Sequence, residues 1–456
     1  MFSETAAPSR AAIVVVRSFR TGQELHRMHA KLQKKLMNGY ILMDLPKMLH
    51  RVPKNFSRAI ELQNQRVQKL AQCAYEIPFY KERFDRAGVK PEDIRTGDDL
   101  TKLPVLTKDE LREWMAGLKD RPEYKDWICD TTSGSTGKPV SILFSPREKA
   151  YMKANWYRVM LCAGHNPLTG KTMSRINMHD VNPGGQDTFL QRFGIFRHAF
   201  VDQYAPESDV IDRINDYKPD WLYMNKTELM RLVLYAKRTG KQIFHPKFYD
   251  PISEKVTEND RALFIEQLGP GIIDSYGSAE TGACMLRLPG KDFYVVHNDS
   301  FVVNVVDDDG QLTRQGRVII TPLYKTDLPL INYEVGDRAI MRTSQGVHFI
   351  TNMEGRLNDY FRYEDGRVTS FFEVTPVIAH CPDILQIRFI QKTWDLIHVQ
   401  IVRDEKAEMT REELERYLTE SLNQIFKKPF DFEFEWMQVI PPDKNGKLRM
   451  IICEAG

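Results

Sequence analysis

The sequence predicts an α/β protein with a large N-terminal domain that includes a β-rich subdomain, followed by a small α+β C-terminal domain. Its 456 residues exceed the roughly 250 to 300 at which a single hydrophobic core stops growing, so two or more domains are expected. In the middle of the chain, short β-prone runs alternate with helical patterns, which is typical of a sheet with crossover helices. From about residue 300 the pattern changes to strands joined by turns.

The first predicted elements are helices. Between Phe56 and Tyr75 the apolar side chains recur at the spacing of one helical face. The members of that face are Ile60, Val67, Ala71 and Ala74. The stretch IPFYKERFDRAGVKPEDI then predicts a short helix that stops at Gly88 and a restart at Pro91.

The next segments alternate between strand and helix patterns. The β-prone runs are short and rich in β-branched or aromatic residues, whereas the helical runs between them are longer. In chain order they are VSILF from Val140, a helix from Lys149 to Leu161, PDWLYM from Pro219, a helix from Thr227 to Lys237, and GIIDSYG from Gly271. This alternation predicts an α/β sheet with crossover helices.

The last third of the chain is predicted to form the β-rich subdomain, near residues 300–354, and then the C-terminal domain. In the subdomain the strand pattern is interrupted by the turn Asp309-Gly310. In the C-terminal domain LQIRFIQ, LIHVQIV and DFEFEWMQVI predict strands around one helix. Thr410 and Glu413 form a capping box at the start of that helix. Its apolar face consists of Leu414, Leu418, Leu422 and Ile425.

These patterns divide the chain into a basic flank over residues 1–60, a large domain over 61–355 and a C-terminal lobe over 356–456. The flank holds eleven Lys or Arg residues but only three Asp or Glu. Two interpretations of the flank are open. Its Leu and Met side chains pack on the main domain, which we favour, or it forms a basic amphipathic arm that touches a membrane or a partner.

Composition narrows the class of protein. With 42% hydrophobic and 28% charged residues the chain is globular, which excludes a disordered chain or a fibre. The formal charge of +2 gives no overall reason to bind nucleic acid or an anionic membrane, so small-molecule chemistry is expected. No apolar run approaches the ~18 residues of a transmembrane segment, which predicts a cytoplasmic protein. The six cysteines are scattered singly, so neither a disulfide framework nor a structural metal is expected.

The stretch TTSGSTGKPV, Thr131 to Val140, concentrates small and hydroxyl-bearing residues around one lysine. Small residues let backbone N–H groups close around phosphate oxygens, while hydroxyls and an ammonium add donors. It is not a Walker loop, because Thr132 stands where the first glycine belongs and Pro139 stands where Ser or Thr would bind magnesium. A polar turn is the alternative, but phosphate binding explains the hydroxyls and the lysine better. The predicted phosphate-binding residues are Thr132, Ser133, Gly134, Ser135, Thr136, Gly137 and Lys138.

This stretch resembles the phosphate loop of the adenylate-forming superfamily, which includes acyl-CoA ligases, luciferases and peptide-synthetase adenylation domains. A second segment, SYGSAETG from Ser275, resembles the Y-G-x-T-E segment of that family. The resemblance implies that Tyr276 stacks on adenine and that Glu280 helps to hold magnesium. It also places Ser275, Gly277 and Ser278 among the nucleotide-binding residues.

Three further segments follow in the family's order. NYEVGDRA resembles the Y-x-x-G-D segment, which implies that Asp337 binds the ribose hydroxyls. GRLNDYF resembles the hinge segment, which implies that Arg356 lies near the nucleotide and that a mobile C-terminal lobe pivots at Asn358 or Asp359. PPDKNGKLRM resembles the final lysine segment, which makes Lys447 the lysine of the mobile lobe. Five matches in the right order are far more specific than any one of them.

The stretch YEIPFYKERFDRAGVKPEDIRTGDDLTKLPVLTKDELRE, from Tyr75, resembles the phenylacetate:CoA ligase and CapK-like branch of the family. Membership implies ATP-dependent activation of an organic, in particular aromatic, carboxylic acid as an acyl-adenylate. The acyl group would then pass to the thiol of CoA. ATP, Mg²⁺ and CoA are the expected cofactors and cosubstrates, and because relatives are often dimers, kinship also suggests a homodimer.

Adenylation brings a carboxylate to the α-phosphate of ATP and expels pyrophosphate, so positive charge and fixed dipoles must cover the phosphates. The resemblance makes Lys447, Glu280 and Arg356 the predicted catalytic residues. Lys447 would bridge the carboxylate and the α-phosphate, and Glu280 would bind the magnesium. Rotation of the C-terminal lobe would then remove Lys447 from the site before the thiol reacts.

The sequence departs from the family pattern at three places. Ala279 replaces a threonine that usually helps to bind the α-phosphate, so Ser278 or Thr281 is the candidate substitute. FYDPIS, from Phe248 to Ser253, stands where relatives carry a glycine-rich stretch, and Asn332 stands where they often have arginine.

The acid pocket is expected to draw on residues 178–185 and 223–228, but the acid itself cannot be read from the sequence. Two other functions therefore stay open beside CoA ligation. The adenylate could pass to an amine or to a carrier-protein thiol, or the protein could bind nucleotide without catalysis.

Overall fold

The computed structural model describes most of the chain from Phe56 onward. The described residues are 39–41, 43, 56–131, 140–176, 193–202, 205–344, 347–356, 360–365, 367–370, 374, 377–378, 381, 383–404, 407–426, 428–443 and 448–455. Nearly all of the basic flank therefore lies outside the described residues, and both interpretations of it stay predictions.

Three α-helices lie between Phe56 and Leu118, and the first spans the predicted range. In that helix the predicted face is confirmed for Val67, Ala71 and Ala74, which are fully buried. The second helix ends at Gly88, whose φ of +66° is the left-handed conformation that glycine adopts without strain. The helices are α1 (Phe56–Tyr75), α2 (Pro78–Ala87) and α3 (Lys108–Leu118), the last with a Thr107–Glu110 capping box.

A short hairpin, a long helix and a parallel sheet follow. The sheet has the order β4-β3-β5-β6, with every neighbouring pair parallel, so the predicted sheet with crossover helices is confirmed. Its core contains Val210, Ile214, Leu222, Val233 and Phe264. The elements are β1 (Ile128–Thr131), β2 (Ser141–Phe144), α4 (Pro146–Cys162), β3 (Lys171–Ile176), β4 (Arg197–Asp202), α5 (Glu207–Tyr217), β5 (Trp221–Asn225), α6 (Lys226–Thr239), β6 (Phe248–Ile252) and α7 (Glu258–Leu268).

The predicted run GIIDSYG divides between two sheets. Ile272 makes a parallel bridge to Tyr249 beside β6, whereas the next strand pairs antiparallel in a seven-stranded sheet of order β10-β11-β12-β13-β9-β8-β7. This second sheet therefore begins upstream of residue 300. Its strands are β7 (Asp274–Ser278), β8 (Gly282–Arg287), β9 (Tyr294–Val296), β10 (Phe301–Val306), β11 (Gln315–Pro322), β12 (Tyr333–Ser344) and β13 (Val347–Arg356).

The C-terminal part contains a two-stranded ribbon and a four-stranded sheet of order β18-β17-β16-β19 with one helix. The predicted capping box is confirmed, because Thr410 N donates to Glu413 Oε2 at 2.8 Å and Glu413 N donates to Thr410 Oγ1 at 3.2 Å. On the helix, Leu414, Leu418 and Leu422 are fully buried. The elements are β14 (Tyr360–Arg362), β15 (Val368–Ser370), β16 (Ile384–Gln391), β17 (Leu396–Arg403), α8 (Arg411–Phe426), β18 (Asp431–Trp436) and β19 (Ile451–Cys453).

The sequence predicts neither a transmembrane segment nor a disulfide framework. Among the described residues, the helices are too short or too polar to cross a membrane. None of the six cysteines, all of which lie in described segments, is joined in a disulfide.

Candidate functional site

The structure describes part of the predicted site. Ser275, Tyr276, Gly277 and Ser278 form most of β7, Glu280 follows in the turn to β8, and Asp337 lies in β12. Arg356 is the last residue of β13, and only its backbone is described. The loop residues 132–138, the hinge residues Asn358 and Asp359, and Lys447 lie outside the described residues. Their roles stay predictions.

The predicted adenine and ribose residues are in direct contact. The Tyr276 hydroxyl donates a hydrogen bond to Asp337 Oδ2 at 2.5 Å. Asp337 in turn lies opposite Arg356 in the antiparallel ladder of β12 and β13, where facing Cα atoms are about 4.5 to 5.5 Å apart. The fold therefore gathers three residues that are far apart in sequence at one place. Tyr276 and Asp337 are both only partly buried.

A second hydrogen bond joins the same two sequence segments. Tyr333, at the start of β12, donates from its hydroxyl to Glu280 Oε1 at 3.0 Å. Glu280 is only 6% exposed. Burial, together with the neighbouring Glu280 carboxylate, raises the pKa of Tyr333, so this hydroxyl stays protonated and remains a donor. The predicted magnesium ligand is thereby held in one orientation.

The turn that carries Ala279 limits which hydroxyl can replace the family's threonine. Thr281 is fully buried, and its Oγ1 donates to Gly282 O at 3.2 Å and lies 3.1 Å from Ser278 Oγ. Ser278 is only partly buried. Ser278 is therefore the better placed of the two candidates, and we propose that it takes this role. Gly277 has no room for a side chain, because a Cβ there would lie 2.3 Å from Gly282 O.

A buried carboxyl group behind the predicted adenine residue was missed by the sequence reasoning. Asp250 in β6 is 1% exposed. Its Oδ1 accepts from Ser275 N at 3.2 Å and its Oδ2 lies 2.7 Å from Ser275 Oγ. Burial raises the pKa of Asp250 to about 7. The sequence FYDPIS contains a signal for this buried carboxyl group. An aspartate in a strand that also carries Phe and Tyr is expected to be buried, and a buried carboxyl group requires a hydrogen-bond partner.

The pH dependence of stability should report on Asp250. Its folded-state pKa is raised above the ordinary value of 3.8, so the protonated carboxyl stabilises the folded chain at low pH, and this stability is lost as the pH rises through about 7. Asp250→Asn keeps both contacts with Ser275 without titrating. We expect the variant to lose less stability than the wild type between pH 5 and 8, by at most about 3 kcal/mol. Urea unfolding across this range measures the difference, and parallel pH profiles would contradict it.

Asn332 has a structural role in place of the family's arginine. It is 1% exposed and has a φ of +53°, a conformation that asparagine tolerates better than most residues. Its Nδ2 donates to Leu100 O at 2.5 Å and to Leu103 O at 3.0 Å. Asn332 therefore ties the start of β12 to the N-terminal helical region, and its side chain faces away from solvent.

Aromatic side chains line the region beside the predicted nucleotide segment. The rings of Trp156 and Tyr223 meet edge to face with centroids 5.3 Å apart, and Tyr157 lies 5.5 Å from Trp156. All three are half-buried, and together we call them the aromatic wall. Asn155, adjacent in α4, donates to Ala283 O, and Ala283 faces Gly277 across β7 and β8. The aromatic wall therefore lies next to the strand that carries Tyr276.

The described part of the expected acid pocket, residues 223–228, offers no ammonium for a second carboxylate. Lys226 is buried and forms an ion pair with Asp260 at 3.0 Å. The other expected segment, 178–185, lies outside the described residues.

A resident metal site made of three or more His, Cys, Asp or Glu side chains is not found among the described residues. The donor set fits a different arrangement. Mg²⁺ is commonly bound through one or two carboxylates together with substrate phosphates and waters. Glu280, buried and oriented by Tyr333, is suited to be such a carboxylate.

Comparison with known proteins agrees with this fold. Residues 362–454 match the CapK C-terminal domain family. The chain is 24% identical to a phenylacetate-coenzyme A ligase of Pseudomonas putida over 63% of this chain and 68% of that one. It is 23% identical to Protein CapK of Staphylococcus aureus over 86% of this chain and 88% of that protein.

Among solved structures, the chain resembles 2-hydroxyisobutyryl-CoA ligase in two states. The TM-score is 0.69 for the postadenylation state with 2-HIB-AMP, at 18% identity over 86% of this chain and 89% of that one. The TM-score is 0.53 for the thioesterification state with 2-HIB-AMP and CoA, at 17% identity over 88% of this chain and 91% of that one.

The fold is that of the adenylate-forming enzymes among these solved structures, and the sequence relatives are consistent with that superfamily. Its sequence is similar to Protein CapK and to the phenylacetate-CoA ligases, and its C-terminal part matches the CapK C-terminal domain.

Proposed function

We propose that the protein activates a carboxylic acid with ATP as an acyl-adenylate and then transfers the acyl group to the thiol of CoA. The observation that carries this proposal is the double connection between the two nucleotide segments. Tyr276 contacts Asp337, and Glu280 contacts Tyr333, so the residues predicted to bind adenine, ribose and magnesium lie in two segments that contact each other. The ligase names of the relatives support the same reaction.

In the first step, a carboxylate oxygen attacks the α-phosphorus of ATP, and the bond from that phosphorus to the pyrophosphate oxygen breaks. Tyr276 would stack on adenine and Asp337 would accept from the ribose hydroxyls. Mg²⁺ held by Glu280 would neutralise charge on the phosphates. The loop 132–138 and Lys447 would supply the remaining positive charge and N–H donors. In the second step, the CoA sulfur bonds to the acyl carbon, the bond to AMP breaks, and the thiol proton is released.

We infer that the acid is aromatic, with phenylacetate as the first probe. The aromatic wall of Trp156, Tyr157 and Tyr223 lies beside β7. Edge-to-face contacts with a substrate ring are worth about 0.5 to 1.5 kcal/mol each beyond simple burial.

A cytoplasmic location agrees with a supply of ATP and CoA and stays a prediction.

The test measures acid-dependent ATP–pyrophosphate exchange across a panel of aromatic and aliphatic acids. We expect exchange with an aromatic acid and, after CoA is added, an acyl-CoA product. Trp156→Ala should raise KM for the aromatic acid by about tenfold, the equivalent of one lost ring contact. Exchange only with aliphatic acids would contradict the aromatic assignment. ATP binding without exchange across the whole panel would point instead to a catalytically silent nucleotide-binding protein.

A second candidate keeps the adenylation step and changes the acceptor to an amine or a carrier-protein thiol. The match to Protein CapK, whose name specifies no acceptor, extends over 86% of this chain, whereas the match to the Pseudomonas putida ligase extends over 63%. Product analysis after the exchange assay decides between CoA and the other acceptors. After exchange is established, the acid that supports it is incubated with ATP and either CoA or candidate amines, and the product is identified by mass spectrometry.

A further inference from the structure

A buried tyrosine holds the backbone of the turn that carries Glu280. This turn comprises residues 279–281, between the end of β7 and the start of β8. Tyr324, two residues after the end of β11, donates from its hydroxyl to Thr281 O at 3.0 Å. Because Thr281 is fully buried and Tyr324 is 9% exposed, water has little access to this carbonyl. The backbone next to Glu280 is therefore fixed by a residue from another part of the fold.

Tyr324 is itself held in place by its neighbours. Its ring stacks on that of Tyr151 in α4, with centroids 4.8 Å apart and an angle of 17° between the planes. It also meets the ring of Phe301 edge to face, with centroids 5.8 Å apart. The next residue, Lys325, is fully buried and forms an ion pair with Glu148 at 3.1 Å. Burial raises the pKa of Tyr324, so its hydroxyl stays protonated and remains a donor.

One connection between strands supplies two tyrosines that contact this turn. Tyr333, at the start of β12, donates to the Glu280 carboxylate at 3.0 Å. Tyr324, just after β11, donates to the backbone of the residue that follows Glu280. We call Tyr324 and Tyr333 the tyrosine pair. Because one member holds the backbone and the other holds the side chain, the position of the Glu280 carboxyl group depends on both.

The connection between β11 and β12 is fixed to the N-terminal helical region. Tyr80 of α2, which is 1% exposed, donates from its hydroxyl to Pro329 O at 2.9 Å and accepts from Ile331 N at 2.9 Å. In the same region, Leu106 N donates to Asn332 O at 3.0 Å. These contacts do not involve the turn that carries the predicted magnesium ligand. The segment with the tyrosine pair is therefore a fixed support for that turn.

We propose that Tyr324 is a positioning residue for adenylation, which acts through the backbone of the turn on the predicted magnesium ligand Glu280. This inference rests on the proposed function. Replacing Tyr324 with phenylalanine would leave Thr281 O as a buried acceptor without this donor, a state that folded proteins avoid. The turn would then shift toward another donor, and the carboxylate would shift with it. Tyr333 would still hold the carboxylate, so the displacement is expected to be partial.

Tyr324→Phe in the full-length protein is expected to lower acid-dependent ATP–pyrophosphate exchange about tenfold, mainly in kcat. This is less than the roughly 10²-fold that a misplacement of about 1 Å can cost, because Tyr333 remains. Hydrogen exchange in the absence of nucleotide supplies a readout that is independent of activity. The peptide that contains residues 279–283 should exchange faster in Tyr324→Phe than in the wild type.

Tyr151→Phe is the matched control, because it removes the hydroxyl of the ring that stacks on Tyr324 and leaves the contacts of the turn in place. The Tyr151 hydroxyl lies 3.0 Å from Ser300 Oγ and accepts from Arg66 Nη1 at 2.9 Å. Both partners lie outside the turn. We expect this variant to keep exchange within about threefold of the wild type, because it changes no contact with the predicted ligands of the transition state. Hydrogen exchange of the turn should stay unchanged.

Combining Tyr324→Phe with Glu280→Gln distinguishes positioning from a merely structural role. If Tyr324 acts on exchange through the Glu280 carboxylate, the effects of the two substitutions are coupled. Adding Tyr324→Phe to Glu280→Gln should then lower exchange by no more than about twofold further. A general loss of stability would instead lower exchange by the same factor in both backgrounds.

Four results would overturn the inference while the proposed function survives. They are an unchanged exchange rate in Tyr324→Phe, an equal loss in Tyr151→Phe, the full loss in the Glu280→Gln background, and unchanged hydrogen exchange of the turn in Tyr324→Phe. Absence of ATP–pyrophosphate exchange in the wild type with every acid would instead defeat the proposed function, and this inference with it.

Discussion

Lys447→Ala is expected to lower acid-dependent ATP–pyrophosphate exchange by about 10² to 10³-fold, the loss typical of removing one donor that stabilises developing charge in a transition state. Two anions meet in this step, and an ammonium between the carboxylate and the α-phosphate favours the transition state more than the bound substrates. The effect should therefore appear mainly in kcat, with a small change in KM for ATP. Exchange of labelled pyrophosphate into ATP measures it directly.

Lys444→Ala is the control for this variant. Lys444 lies three residues earlier in the same PPDKNGKLRM segment and carries the same charge, but it has no predicted role. We expect it to retain exchange activity. Similar losses in both variants would show that the charge of the segment matters and not one positioned ammonium. A Lys447→Ala variant that also fails to form acyl-CoA from synthetic acyl-adenylate would contradict a role confined to the first step.

Glu280→Gln is the second change with a large expected effect, about 10²-fold on exchange. The substitution keeps the size of the side chain and an oxygen that can accept from Tyr333. It removes the negative charge that a magnesium ion prefers. Raising the Mg²⁺ concentration should therefore recover part of the activity. Exchange rates measured against Mg²⁺ concentration test this expectation.

Tyr333→Phe separates metal binding by Glu280 from the hydrogen bond between Tyr333 and Glu280. It removes the hydroxyl that donates to Glu280 at 3.0 Å but leaves the carboxylate. The negative charge that attracts the metal stays in place, so a smaller loss of activity than for Glu280→Gln is expected, with little change in Mg²⁺ dependence. If Glu280→Gln shows no change in Mg²⁺ dependence, then Glu280 orients Tyr333 and β12 and does not bind the metal.

The local patterns predicted the helices and many strands because those signals are short-range. The apolar face of α1, the stop at Gly88 and the Thr410–Glu413 box are all set by residues within a few positions of each other. The course of GIIDSYG was not predictable in the same way. Its first residues join β6 and its last residues join β8, and both partners are distant in the fold.

The candidate site also combines residues that local motifs point to with contacts that form only in the complete fold. The motif order identified Tyr276, Glu280 and Asp337, but no local signal stated that Tyr276 contacts Asp337 or that Tyr333 contacts Glu280. Asp250 and Asn332 were noticed only as departures from a pattern. Their roles depend on Ser275, Leu100 and Leu103, which are brought near only by the completed fold. The roles of Tyr276, Glu280 and Asp337 stay predictions, as do those of the phosphate loop, the hinge and Lys447.

The ladder position of Asp337 has a mechanical consequence. Asp337 faces Arg356 across β12 and β13, and the predicted pivot at Asn358 or Asp359 begins two or three residues later. A rotation axis at that pivot, close to the predicted ribose ligand, would move atoms in proportion to their distance from it. The far side of the C-terminal lobe would move a long way while the nucleotide stayed nearly still. One bound acyl-adenylate could therefore serve both half-reactions without moving to a second site.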